Sequence, residues 1–226
     1  MTNPGGRFDA VLFDLDGVLV DSEPWWNESR VAFAAARGLQ WIDEDQAQCM
    51  GGNSLEWATV MRDRLGLGDV PLEPIRDEVV AGVVTRYHER PAPIVPGAPA
   101  QVRRIARERP VAIASSSHRD VIDAAVEALG IADVMAAIVS SDEVDRGKPE
   151  PDVYLLAASR LGVEPARCLV VEDSINGVRA VKAAGMTVVL VPSLSVPAPR
   201  EAHTIADRVL ASLAQLDPDA LDPAPA

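Results

Sequence analysis

Short, almost wholly apolar runs recur along the chain at Phe8–Asp14, Pro110–Ser115, Met135–Ser140, Arg167–Glu172 and Met186–Val191. Runs of this length without polar alternation read as strands buried on both faces, the pattern of a parallel sheet. Amphipathic helices separate the later runs. Val121, Ile122, Ala125, Val126 and Leu129 recur at helical spacing, and Gly130 follows as a stop. Val153, Leu156, Ala157 and Leu161 do the same before Gly162, and Ile175, Val178 and Val181 before Gly185. Strands alternating with such helices make an α/β fold of βαβ units.

Residues 22–90 break the rhythm. They hold no convincing strand, but offer helices near Glu23–Arg37, Ser54–Leu65 and Leu72–Glu89, and the stiff Pro91–Gly97 stretch follows. The expectation is a core built from residues 1–21 and 94–226, with residues 22–93 inserted as a small helical domain. Hinges are expected near 19–23 and 91–95. The tail from Val196 is rich in Pro, Ala and Asp, and is expected to fray over Asp217–Ala226.

A net charge of -13 argues against nucleic acid, which is bound through basic patches, and against an anionic membrane surface. No apolar run approaches the roughly 18 residues that a membrane span needs. Cys49 and Cys168 are too few and too distant for a disulfide or zinc framework. With no apolar signal core near Met1, the expected location is the cytoplasm, and the expected state is a monomer or weak homodimer.

The chemistry gathers at the ends of the strands. The first ends in Asp14-Leu15-Asp16-Gly17, so Asp14 and Asp16 can share a face at the sheet edge where α/β proteins bind ligands. Ordinary turn acids would look the same. A calcium loop would not, because Val18 stands where its fifth-position ligand belongs and glycine comes fourth rather than sixth. A second pair, Glu172-Asp173, ends a later strand. In a parallel sheet both pairs meet at one edge, where two like charges about 4 Å apart cost roughly 4 kcal/mol at an effective dielectric near 20. Such a cluster needs a cation. Oxygen ligands without nearby His or Cys suit Mg²⁺ better than zinc. Lys148 is one of only two lysines against nineteen arginines, and it sits between stiffening prolines. There it can pair with Asp14 and a phosphate oxygen. Ser115, followed by Ser116 and Ser117, reads both as a helix cap and as an anion site at a helix N-terminus.

The order carboxylate pair, hydroxyl, lysine, acidic pair resembles the four motifs of the haloacid dehalogenase superfamily of phosphohydrolases, over nearly the whole chain. The motifs here are Asp14-Leu15-Asp16-Gly17, Ser115, Lys148-Pro149 and Glu172-Asp173. Asp21-Ser22-Glu23-Pro24 and Glu172–Gly177 are most similar to the branch of sugar-phosphate phosphatases and β-phosphoglucomutase, with a helical cap after the first strand. The resemblance implies a Rossmann-like core and a Mg²⁺-dependent phosphatase of a small phosphorylated metabolite. It makes Asp14 the nucleophile and Asp16 the acid and base. It assigns Mg²⁺ to Asp14, the carbonyl of Asp16, Asp173 and Glu172, some of them through water, and the phosphoryl oxygens to Ser115, the amide of Ser116 and Lys148.

Gly51-Gly52-Asn53-Ser54 resembles the specificity loop of the cap, making Gly51 and Asn53 candidate specificity residues. Trp26 and His118 join them, at places where the mutase carries a histidine and a lysine, and Ser54 stands where it carries an arginine. These departures favour hydrolysis over the phosphosugar mutase alternative. Trp25 and Trp26 read equally as cap packing, and His118 as a helix-start residue. A phospho-accepting receiver-like module also combines acids, a hydroxyl and a lysine. Its acidic pair and accepting aspartate come in a different order, and it lacks the insertion.

Overall fold

The computed structural model describes residues 7–49 and 52–221. The chain opens with β1 (Ala10–Phe13) and continues through α1 (Glu23–Ala35), α2 (Asp43–Cys49), α3 (Ser54–Arg64) and α4 (Leu72–Glu89), with no strand described among these helices. Then come α5 (Ala98–Ala106), β2 (Val111–Ser115), α6 (Arg119–Leu129), β3 (Met135–Ser140) and α7 (Asp152–Leu161). The chain closes with β4 (Cys168–Glu172), α8 (Ile175–Ala183), β5 (Thr187–Leu190), α9 (Arg200–Ile205) and β6 (Arg208–Val209).

The strands form one sheet in the order β3-β2-β1-β4-β5-β6, and every pairing is parallel. This is an α/β Rossmann-like sheet. The three central strands, β2, β1 and β4, are buried at every position because both faces are covered. Val11 and Phe13 join one buried cluster with Val102 and Ile105 of α5 and Val121 and Ile122 of α6. Ala10 and Leu12 join another with Val153 and Tyr154 of α7 and Val178 and Val181 of α8. Each fully buried Val, Leu or Phe contributes about 1.5–3 kcal/mol. β1 lies between β2 and β4, where successive connections diverge, so the crevice at its carboxyl end is the ligand site of such sheets.

The four inserted helices pack through aromatic edges. Trp25 meets Tyr87 with ring centroids 5.0 Å apart, and Trp26 meets Trp57 at 5.8 Å. The segments entering and leaving the insertion pair with each other. Val20 bridges Ile94, the Asp21 amide donates to the Pro93 carbonyl at 2.8 Å, and the Val95 amide donates to Leu19 at 3.0 Å.

Four elements were not expected: α2, α5, α9 and the two-residue edge strand β6. The tail also corrects the expectation of fraying as far as Leu221. Leu213 and Leu216 are buried, and the Arg109 guanidinium, 2% exposed, forks onto Asp219 at 2.7 and 2.8 Å. A long-range ion pair holds this segment where local composition shows only loop. Residues 222–226 lie outside the described residues. Among the described residues, no helix is long and apolar enough to cross a membrane.

Candidate active site

Parallel strands put their carboxyl ends at one edge, and there the motif residues meet. Asp14 leaves β1 beside β4, its amide donating to the Val171 carbonyl at 3.0 Å. Lys148 arrives on the connection from β3 to α7. Its Nζ donates to Asp14 Oδ1 at 2.8 Å and to Glu172 Oε1 at 2.6 Å. Tyr154 Oη donates to the same Glu172 oxygen at 2.6 Å. Glu172 Oε2 accepts from the amides of Asp173 (2.9 Å) and Ser174 (3.0 Å) and from Ser174 Oγ (3.1 Å). The buried charge of Glu172 is thus fully engaged. Burial alone would raise its carboxyl, but Lys148, Tyr154 and the Ser174 amide hold it below the usual range.

Charge does not balance at this edge. Asp14, Glu172 and Asp173 each place a carboxylate oxygen within 4.8 Å of the others, and Lys148 is the single cation touching them among the described residues. Burial, then the neighbouring carboxylates, push Asp14 up to about 7 against the pull of Lys148. Asp173 is raised well above its ordinary value for the same reasons, burial first. An all-oxygen cluster with two acids that resist ionisation fits a hard divalent cation.

Two glycines make the packing possible. Gly17 has φ +80°, and a Cβ there would fall 1.9 Å from Asp173 Oδ2. At Gly177 a Cβ would fall 1.7 Å from Glu172 Oε1.

Asp16 points elsewhere. Its Oδ1 accepts from Ser22 Oγ at the entry to α1 and from Trp26 Nε1 at 3.4 Å, and its Oδ2 accepts from Ser117 Oγ at 2.6 Å. The Asp16 carboxylate is therefore tied to the insertion and lies outside the three-acid cluster. Ser115 Oγ, 1% exposed as a residue, accepts from the Ser117 amide at 3.0 Å. Ser115, Ser116 and Ser117 line the same cleft as Asp14, Asp16, Lys148 and Asp173.

The facing wall comes from the insertion: Glu23, Trp26, Arg30, Cys49, Gly52 and Trp57. Trp26 is thus in the cleft, while Trp25 packs on Tyr87. Asn53 caps α3, its Oδ1 accepting from the amides of Leu55 (3.1 Å) and Glu56 (3.0 Å), and it is not among the cleft residues. His118 caps α6 through Nδ1, accepting from the Asp120 amide at 3.2 Å, and it too stands outside that lining. Gly51 lies outside the described residues. Ser54 Oγ is spent on Asp142 at 2.9 Å, joining the insertion to the core.

Sequence reasoning missed Ser117, Tyr154 and above all Arg30. The signal for Arg30 was present: it follows Trp26 by four residues and precedes Phe33 by three, a charge on an otherwise apolar helix stripe.

The profile of the hydrolase family described as haloacid dehalogenase-like matches residues 8–185. The chain belongs to this family. It is accordingly an enzyme, a hydrolase of the branch that the sugar-phosphate motifs resemble. Hexitol phosphatase B of Escherichia coli (strain K12) is 32% identical over 217 residues, covering 92% of this chain and 93% of that protein. The bifunctional riboflavin kinase/FMN phosphatase of Arabidopsis thaliana is 36% identical over 210 residues, 90% of this chain. The match spans only about half, 53%, of that longer relative. Among solved structures, CbbY from Rhodobacter sphaeroides in complex with phosphate superposes with a TM-score of 0.78 at 27% identity, covering 92% of this chain and 96% of the other.

Proposed function

We propose that this hydrolase is a Mg²⁺-dependent phosphatase that releases phosphate from a small sugar or polyol phosphomonoester through an aspartyl-phosphate intermediate. The observation that carries the reading is the buried Asp14–Lys148–Glu172 chain beside Asp173, at the switch point of the sheet. Lys148 occupies Asp14 Oδ1, which leaves Oδ2 to attack phosphorus. As the Asp14 O–P bond forms, the ester P–O bond breaks and Asp16 delivers its proton to the departing alcohol oxygen. Asp16, now a carboxylate, takes a proton from the water that attacks the phosphorus, and the Asp14 carboxylate leaves. Ser115, the Ser116 amide and Lys148 steady the phosphoryl oxygens throughout.

Asp14, Asp173 and the Asp16 carbonyl would hold the Mg²⁺, while Glu172 supports the site by fixing Lys148. Bound there, the ion would supply charge neutralisation at the phosphoryl group. The inserted helices act as the cap: Trp26 Nε1 and the hinge Ser22 both reach Asp16, so seating the cap also positions the acid. Named phosphatase relatives support the phosphomonoester class, and the Ser54–Asp142 contact leaves no cation at that cap position for a mutase's second phosphate.

The test is phosphate release from a panel of sugar phosphates, nucleotides and glycolytic intermediates with Mg²⁺ present. The expected result is turnover of at least one sugar or polyol phosphate that EDTA abolishes and that Asp14→Asn lowers by at least about 10³-fold, the scale of losing a covalent-catalysis residue. Retained turnover in Asp14→Asn would remove Asp14 as nucleophile. Isomerised phosphosugar with little free phosphate would replace hydrolysis by mutase chemistry.

A further inference from the structure

Arg30 is a charge in an apolar position. It lies on the buried face of α1 with only 4% of its surface exposed, between Trp26 and Phe33. Its Nε and Nη1 have no hydrogen-bond partner among the described residues, although Nη1 approaches Glu23 Oε1 to 3.7 Å. The guanidinium sits over the rings of Trp26 and Trp57, 5.3 and 5.4 Å from their centroids. Indole faces hold a weakly hydrated cation well, but they do not use its N–H groups. Buried polar groups nearly always find partners. Two unmet donors on a cation lining the catalytic cleft therefore point to acceptor atoms brought by a ligand.

Glu23 is the other half of the arrangement. Gln46 Nε2 donates to its Oε1, and Trp41 Nε1 in turn fixes Gln46 through Oε1 at 3.1 Å. A donor cation and an anchored acceptor anion thus stand side by side on the wall facing the Asp14 edge. A hydroxyl can accept from one and donate to the other. A second phosphate or a carboxylate would meet Arg30 only with the Glu23 carboxylate beside it. Cys49 adds no charge to this wall, because burial pushes its thiol up to about 11.

We propose that Glu23 and Arg30 form a distal subsite that recognises hydroxyl groups at the unphosphorylated end of a sugar or polyol monophosphate and rejects substrates carrying a second anionic group. The proposal rests on the phosphatase reading above. Its test compares kcat and KM, with Mg²⁺, for a hexitol monophosphate, a hexose bisphosphate, phosphoglycolate and acetyl phosphate, the last too short to use a distal subsite. The wild-type enzyme is expected to favour the hexitol monophosphate over the bisphosphate and phosphoglycolate by at least tenfold in kcat/KM. Arg30→Met is expected to raise KM for the hexitol phosphate at least tenfold, and to cost acetyl phosphate far less. Glu23→Gln is expected to narrow the discrimination against phosphoglycolate at least fivefold. A wild-type preference for either doubly anionic substrate overturns the proposal. So does an equal loss on hexitol phosphate and acetyl phosphate in Arg30→Met. Should Arg30→Met fail to fold, the wild-type ranking and Glu23→Gln decide alone. Absence of turnover on all four substrates sinks the phosphatase reading itself, whereas turnover with a flat ranking sinks only the subsite.

Discussion

Replacing Asp14 by Asn should make the metal-free protein more stable while destroying its activity. In the fold, burial and neighbouring acids raise Asp14 from 3.8 to about 7. A carboxyl raised this far costs the folded state nothing below its unfolded value, and costs it fully above the folded one. Converted at about 1.36 kcal/mol per pH unit, the full cost at pH 8 is about 4 kcal/mol. Protonation of Asp173 and Glu172 adjusts when one charge is removed, so the gain from the Asn variant is between about 2 and 4 kcal/mol. The amide oxygen still accepts from Lys148. For a chain of this length 1 kcal/mol moves Tm by about 2–4 °C, which places the rise near 10 °C. Thermal melts in EDTA at pH 8 and pH 5 read it directly, and the gain should fall to less than half at pH 5. With Mg²⁺ at about 100 times its Kd, the wild type should recover about 2.7 kcal/mol and the variant little. A variant no more stable than wild type at pH 8, or a gain equal at both pH values, would refute the claim that this edge is over-charged without its cation.

Two further substitutions probe the packing. Gly177→Ala in α8 would ordinarily gain about 1 kcal/mol of helix propensity. Here its Cβ lands 1.7 Å from Glu172 Oε1, so denaturant melts should show destabilisation and assays a loss of turnover as Lys148 shifts. Asp219→Ala strips the partner of a buried guanidinium and should cost about 1–3 kcal/mol in urea titrations, with KM for substrate unchanged.

The parallel core was legible because every strand that flanks the site is buried on both faces, so its apolar run needs no tertiary information. The motif residues could be placed at one edge for the same reason: parallel strands end together. β6 escaped notice because Arg208–Val209 is a two-residue edge strand whose pairing with β5 leaves no periodicity. The C-terminal strap was invisible because Arg109 and Asp219 are far apart in sequence, and only the fold joins them. Glu172 could be recognised as one of the acids at the sheet edge, but not as the residue that holds Lys148, since that contact joins the end of β4 to the segment that follows β3. Arg30 was readable as an anomaly on an apolar stripe. Its indole neighbours and the anchored Glu23 emerge only once the inserted helices pack.

The central claim is that Asp14 takes the phosphoryl group before water does, which requires two in-line displacements at phosphorus. The direct measurement is the stereochemical course of hydrolysis of an isotopically chiral thiophosphate ester in labelled water. Two displacements predict net retention of configuration at phosphorus. Net inversion would mean that water attacks the ester in a single step, and would contradict the account.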